Sequence, residues 1–92
     1  MIKSFRSRAL KRLYEQDDAS RLPQDIVPRI ASILAALDSA GTTQDMDRPS
    51  LKLHSLKGNR QGRWAVTVRA NWRITFSMSD GNAFDVDFED YH

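Results

Sequence analysis

Two histidines, His54 and His92, are the chain's natural proton carriers near neutral pH. His54 stands in Leu51-Lys52-Leu53-His54-Ser55-Leu56-Lys57-Gly58, with a lysine on either side. His92 closes the run Glu89-Asp90-Tyr91-His92. A nuclease that works without metal needs a base for the attacking hydroxyl and an acid for the leaving oxygen. It also needs cations where negative charge builds on the phosphate. A histidine pair set among lysines and arginines supplies all three. Plainer roles exist for both, a bonded loop histidine and a frayed tail. The tail, however, continues directly from a strand pattern, which leaves little chain to fray.

The cations are not spread evenly. Residues 1–15 carry five of them (Lys3, Arg6, Arg8, Lys11 and Arg12) against one acid, and residues 16–47 carry two against six acids. Residues 48–73 hold seven and no acid, whereas residues 74–92 hold five acids and no lysine or arginine. The net charge of +2 hides this division. A long basic segment without carboxylates suits an anionic partner such as nucleic acid, although a solvated surface is the simpler explanation of any charge run. No glycine-rich turn leads into Lys-Ser/Thr, so a phosphate loop is absent, and the alternating acids Asp85, Asp87 and Glu89 read as the wet side of a strand rather than a metal site. With no cysteine, a disulfide framework and a thiolate metal centre are both excluded. The expectation is no cofactor and no metal.

The elements that must hold these groups follow from periodicity. Residues 2–5 suit a short first strand. Residues 7–16 place Leu10, Leu13 and Tyr14 on one helical face, and residues 24–40 repeat the pattern with Ile26, Ile30, Ile33, Leu34 and Leu37. Pro23 and Pro28 flank the second helix's first turn and Gly41 is its natural stop. The two helices read as an antiparallel hairpin. Beyond residue 60 the period falls to two. Trp64, Val66 and Val68, then Trp72, Ile74, Phe76 and Met78, then Phe84, Val86 and Phe88 alternate with polar residues. Asp80-Gly81 marks a hairpin turn between the last two runs. The prediction is a single α+β domain over 1–92: a short strand, a helix hairpin, then a three-stranded antiparallel meander with the helices on one face. On that scheme Arg63, Arg69 and Arg73 share the open face and make a phosphate-binding surface, unless cross-strand acids absorb them. The longest apolar stretch is far below the roughly 20 residues of a membrane span, and the first residues lack a signal peptide's apolar core. A cytoplasmic protein is expected.

Met1-Ile2-Lys3-Ser4-Phe5, Lys52-Leu53-His54 with Leu56-Lys57-Gly58, Val68-Arg69-Ala70-Asn71-Trp72-Arg73-Ile74-Thr75-Phe76 and the closing Glu89-Asp90-Tyr91-His92 together resemble the HigB toxins of the RelE/ParE superfamily. The resemblance runs from end to end. It implies a RelE-like fold and a messenger RNA endonuclease that cuts in the ribosomal decoding site. It also implies a HigA-type antitoxin partner with a helix-turn-helix, operator DNA being reached only through that antitoxin. Carried onto this chain, the catalytic group is His54, Asp90, Tyr91 and His92. A substrate 2′-hydroxyl attacks the adjacent phosphate, giving a 2′,3′-cyclic phosphate and a free 5′-hydroxyl. The two histidines divide the base and acid roles, Asp90 sets a histidine's tautomer, and Tyr91 stacks on or orients the splayed nucleotide. Lys57, Arg69 and Arg73 hold the phosphate.

Two expectations come from the residues themselves. Asn71 has the geometry to read an adenine, if it is not simply a turn residue. Lys3, Arg6, Arg8, Lys11 and Arg12 suit ribosomal RNA, if they are not merely a solvated face. The same superfamily contains ParE toxins, which bind DNA gyrase and cut no RNA; the histidines with Tyr91 favour the nuclease.

Overall fold

The computed structural model describes residues 1–91. The proposed catalytic residue His92 lies outside them. Ser7 ends the leading extended segment: its hydroxyl accepts from the Leu10 N–H at 3.2 Å, and so caps helix α1, Arg8–Gln16. Asp17 closes α1 in the left-handed conformation, φ 54°. A single turn of 3-10 helix, Gln24–Ile26, leads into α2, Val27–Ser39, with Pro28 in the first turn, where its missing N–H costs nothing.

The second half of the chain is an antiparallel sheet in the order β1 (His54–Ser55), β2 (Trp64–Arg69), β3 (Trp72–Ser79) and β4 (Asn82–Asp90). The meander and the helix-covered face are as expected. The two-residue β1 carrying His54 is an addition. The expected first strand exists as two parallel bridges, Ile2 to Ala83 and Phe5 to Val86, along the outer edge of β4. Leu10, Ile30, Ile33, Leu34 and Leu37 from the helices bury against Val66, Ile74, Phe76, Ala83 and Val86 of the sheet. Among the described residues no helix is long and apolar enough to cross a membrane.

Two irregularities change which residues share a face. From Thr75 to Ser77 the partner strand advances three residues, Asp87 to Phe84. The additional residue is a bulge, with Asp85 at φ 52°. It turns Ala83 into the core opposite Met78 and puts Phe84 on the outer face opposite Ser77. Phe84 therefore does not share a face with Val86 and Phe88, as strict alternation predicts. Ser4 seals the bulge by accepting from the Asp85 N–H at 2.8 Å. A second register shift, between Thr67 and Arg69, precedes a left-handed Ala70.

At the helix end of the molecule the Tyr14 hydroxyl donates to Asp38 at 2.6 Å, and the Ile2 N–H donates to the same carboxylate oxygen at 2.9 Å. The hydrogen bond to Asp38, aided by partial burial, pushes the Tyr14 phenol up to about 12. A raised pKa means that the contact supports the fold fully below the ordinary tyrosine value near 10, and that this support fades as pH rises through about 12. In a Tyr91→Phe background, ultraviolet titration is expected to show the remaining tyrosine ionising near 12, and Asp38→Asn is expected to return it toward 10.

Candidate active site

Register places the predicted residues on the outer face of the sheet. His54, Ala65, Thr75 and Asp87 form one cross-strand row, and Thr67, Arg73 and Glu89 form the next. Tyr91 follows Glu89 by two residues, and its ring lies 5.4 Å from the guanidinium carbon of Arg73. His54 and Tyr91 are thus on one side of the sheet but at its opposite edges, three strand spacings across, with Tyr91 four residues beyond the row of His54. The structure brings Arg73 and Tyr91 into contact. It leaves His54 facing them across the width of the sheet.

His54 is exposed, and its Nδ1 lies 3.1 Å from the Lys52 carbonyl oxygen. A carbonyl only accepts, so this contact requires the proton on Nδ1 and leaves Nε2 with the lone pair in neutral imidazole. Lys52, at φ 50°, presents that carbonyl through a left-handed backbone. The role proposed for Asp90 toward His92 falls outside the described residues. Asp90 stands opposite Trp72 in the register.

Arg73 is fastened by its Nη1, which donates to the carbonyls of Ala70 at 2.6 Å and Trp72 at 3.1 Å. Those carbonyls compete poorly with a phosphate for charge, and among the described residues no carboxylate forms an ion pair with Arg73. Asn71 is exposed in the turn beside it, and its own carbonyl accepts from the Tyr91 N–H at 2.8 Å. That bond ties the turn to the end of β4, next to the Arg73–Tyr91 pair. Lys57 is exposed and lines a cleft of about 410 Å³ with Ser55, Gln61 and Arg63.

The shared arginine face does not form as expected. The register shift after Thr67 pairs Arg69 with Trp72, which belongs to the helix side, and Arg69 makes an ion pair with Asp25 at the start of the second helical segment. Arg63 is on the outer face but buried, with 8% exposure. Its Nη2 donates to Thr75 Oγ1 at 3.0 Å and to the Asp85 carbonyl at 2.7 Å. Burial, with Arg6 and Arg60 nearby, pushes its pKa down from the ordinary arginine value. Of the three, Arg73 is the one that keeps an unburied guanidinium on that face, and among the described residues it has no carboxylate partner.

Arg60 carries no periodic signal and the motifs pass it over, yet it joins the site. It lies in the 3-10 turn Gly58–Arg60 and ion-pairs with Glu89 on β4. The same Glu89 carboxylate oxygen accepts from Thr75 Oγ1 at 2.6 Å. Burial works to raise the Glu89 carboxyl, but the bonds from Thr75 and Arg60 outweigh it and hold the group below its ordinary range. The Thr75 hydroxyl is thereby used in both directions, accepting from Arg63 and donating to Glu89. Thr75→Val removes both bonds at a fully buried position. It is expected to cost about 1–3 kcal/mol, and calorimetry should show a melting temperature lower by at least about 4 °C.

Lys3, Arg8 and Lys11 are exposed, while Arg6 pairs with Asp85 at 3.9 Å and Arg12 with Asp18 at 3.7 Å. Exposed pairs of this kind are worth at most about 1 kcal/mol, so both arginines can be recruited by a polyanion. Among the described residues no group of three or more His, Cys, Asp or Glu side chains gathers as metal ligands would.

Residues 3–92 match the family of HigB-like toxins, described as RelE-like toxins of type II toxin–antitoxin systems. The chain is 48% identical over 92 residues to the endoribonuclease HigB of Proteus vulgaris, covering all of both chains. It is 30% identical over 87 residues to toxin HigB-1 of Vibrio cholerae, covering 92% of each. In fold it is similar to the toxin–antitoxin heterotetramer of YoeB and YefM from Staphylococcus aureus, with a TM-score of 0.63, 18% identity, and 100% of this chain and 98% of that chain covered.

Proposed function

The chain belongs to the HigB-like toxins of type II toxin–antitoxin systems, and from that premise we propose that it is an endoribonuclease that cuts messenger RNA in the decoding site of the ribosome. The observation that carries this reading is His54, poised with Nε2 as its lone-pair nitrogen, on the same outer face as the Arg73–Tyr91 pair. A base on one side and a guanidinium against an aromatic ring on the other suit a single-stranded nucleotide laid across the sheet. Tyr91 stacks on or orients the splayed nucleotide, and Arg73 with Lys57 meets the scissile phosphate. Arg69, set on the helix side, is better placed for flanking RNA than for the reacting phosphate.

The substrate's 2′-hydroxyl is the nucleophile. One histidine takes its proton as the oxygen bonds to phosphorus, and the other gives a proton to the departing 5′-oxygen. The products are a 2′,3′-cyclic phosphate and a free 5′-hydroxyl, with no net change in protons and no cofactor required. Asp90 steadies His92 in its charged form, and Asn71 at the turn reads a base. Lys3, Arg6, Arg8, Lys11 and Arg12 hold ribosomal RNA through their charge. The partners are the 70S ribosome with its message and a HigA-type helix-turn-helix antitoxin, through which alone operator DNA is contacted. The site of action is the cytoplasm.

The test is a translation extract supplied with purified protein bearing no C-terminal tag, with 5′ ends of the message mapped by primer extension. Cuts that require ribosomes and leave 5′-hydroxyl ends support the reading. Intact message beside gyrase-dependent DNA breaks supports a ParE-like poison instead.

A further inference from the structure

Resting on the endoribonuclease reading, we propose that Arg60 is a positioning residue that holds the Glu89 carboxylate away from Arg73 and so keeps the Arg73 charge available to the substrate phosphate. Glu89 and Arg73 are direct cross-strand partners on the outer face of β3 and β4. Opposite charges in such positions are close enough at the Cβ atoms, about 5 Å, that they normally pair. Here they do not. Glu89 is drawn instead to Arg60, from the connection between β1 and β2, and to the Thr75 hydroxyl. Arg73 is left bonded to the neutral carbonyls of Ala70 and Trp72, over the Tyr91 ring.

The consequence is a division of labour between two guanidiniums that share one nearby acid. A carboxylate paired with Arg73 would cancel its charge where the phosphate should sit, and a phosphate would have to displace it. Arg60 absorbs that acid. The Arg60 N–H is also bonded to the Lys57 carbonyl, at 3.4 Å, so the same residue ties the Lys57 turn to β4. The neighbouring Arg63 directs its Nη2 to Thr75 and the Asp85 carbonyl.

The experiment is a double-mutant cycle read in ribosome-dependent cleavage, with single-turnover rate and apparent affinity measured separately. Arg60→Gln is expected to slow cleavage about 10-fold or more, because Glu89 then turns to Arg73. Glu89→Gln keeps an acceptor for Thr75 and Arg60 and is expected to stay within about 3-fold of wild type. The double variant is expected to regain most of the loss, and a purely structural role for Arg60 would give no such recovery. A double variant as slow as Arg60→Gln, or an Arg60→Gln variant as fast as wild type, overturns the proposal. A crystal structure of Arg60→Gln separates this outcome from failure of the nuclease reading. Glu89 on Arg73 in that crystal, beside a wild type that cuts no message, sinks the nuclease and leaves the guard; Glu89 still apart from Arg73 sinks the guard whatever the activity.

Discussion

Alanine at His54 is expected to slow ribosome-dependent cleavage about 10²–10⁴-fold, the usual contribution of a positioned general acid or base. The fold should survive, because His54 is exposed and, among the described residues, its one side-chain hydrogen bond is to the Lys52 carbonyl, two residues away. The melting temperature of His54→Ala should therefore lie close to that of wild type. Apparent affinity for programmed ribosomes should also hold, since the cations are untouched. His54→Gln sharpens the test, because it retains a polar side chain of similar reach without a titratable nitrogen. If either variant cuts the message at the wild-type rate, His54 transfers no proton, and the work passes to groups at the end of β4. If both lose cleavage and stability together, the loss is one of folding. The decisive result is loss of rate with stability and affinity kept.

The elements around this histidine were readable in the sequence where burial imposes a period. The stripe Ile26, Ile30, Ile33, Leu34, Leu37 and the alternation of Trp72, Ile74 and Phe76 report one-sided packing, and all but the partly buried Trp72 are buried in the core. Two single-residue bulges escape such a reading. One at Asp85 moves Phe84 outward, and the shift beyond Thr67 takes Arg69 out of the face that it was expected to share with Arg63 and Arg73. A period of two is silent about an inserted residue, yet each insertion reverses the facing of everything beyond it. The left-handed residues Ala70 and Asp85 lack the glycine that would have marked such a turn.

The candidate site was legible for a different reason. His54, Lys57, Arg73 and Tyr91 lie in compact motifs whose residue types fit phosphate chemistry, and all are on or beside the outer face. Arg60 was missed because a loop arginine in an acid-free segment looks like its neighbours. Only the fold reveals that Glu89, from the acidic end of the chain, is its partner. Charge runs along a sequence thus describe local solvation. Which arginine of the sheet remains unspent depends on strand order, and Arg73 is one that it leaves.

Arg73→Ala is accordingly expected to cost about 10²–10³-fold in cleavage rate, the scale for losing one preorganised donor to developing charge. Arg73→Lys should recover little of it. The guanidinium is held by donating to two carbonyls, Ala70 and Trp72, while lying against the Tyr91 ring. Its planar fork can do this and still offer donors to a phosphate, whereas an ammonium is a single point of charge on a flexible stem. With lysine the ring also loses the guanidinium placed over it, so Tyr91 is less well fixed for a nucleotide to stack on. Rate and affinity separate the two contributions. If Arg73 acts on the transition state, the rate under saturating ribosomes falls and the apparent affinity changes little. If instead it only anchors the message, affinity weakens and the saturated rate is kept. Full activity in Arg73→Lys would mean that charge alone suffices at this position, and the carbonyl-held geometry over the ring would then be a property of the turn rather than of the reaction.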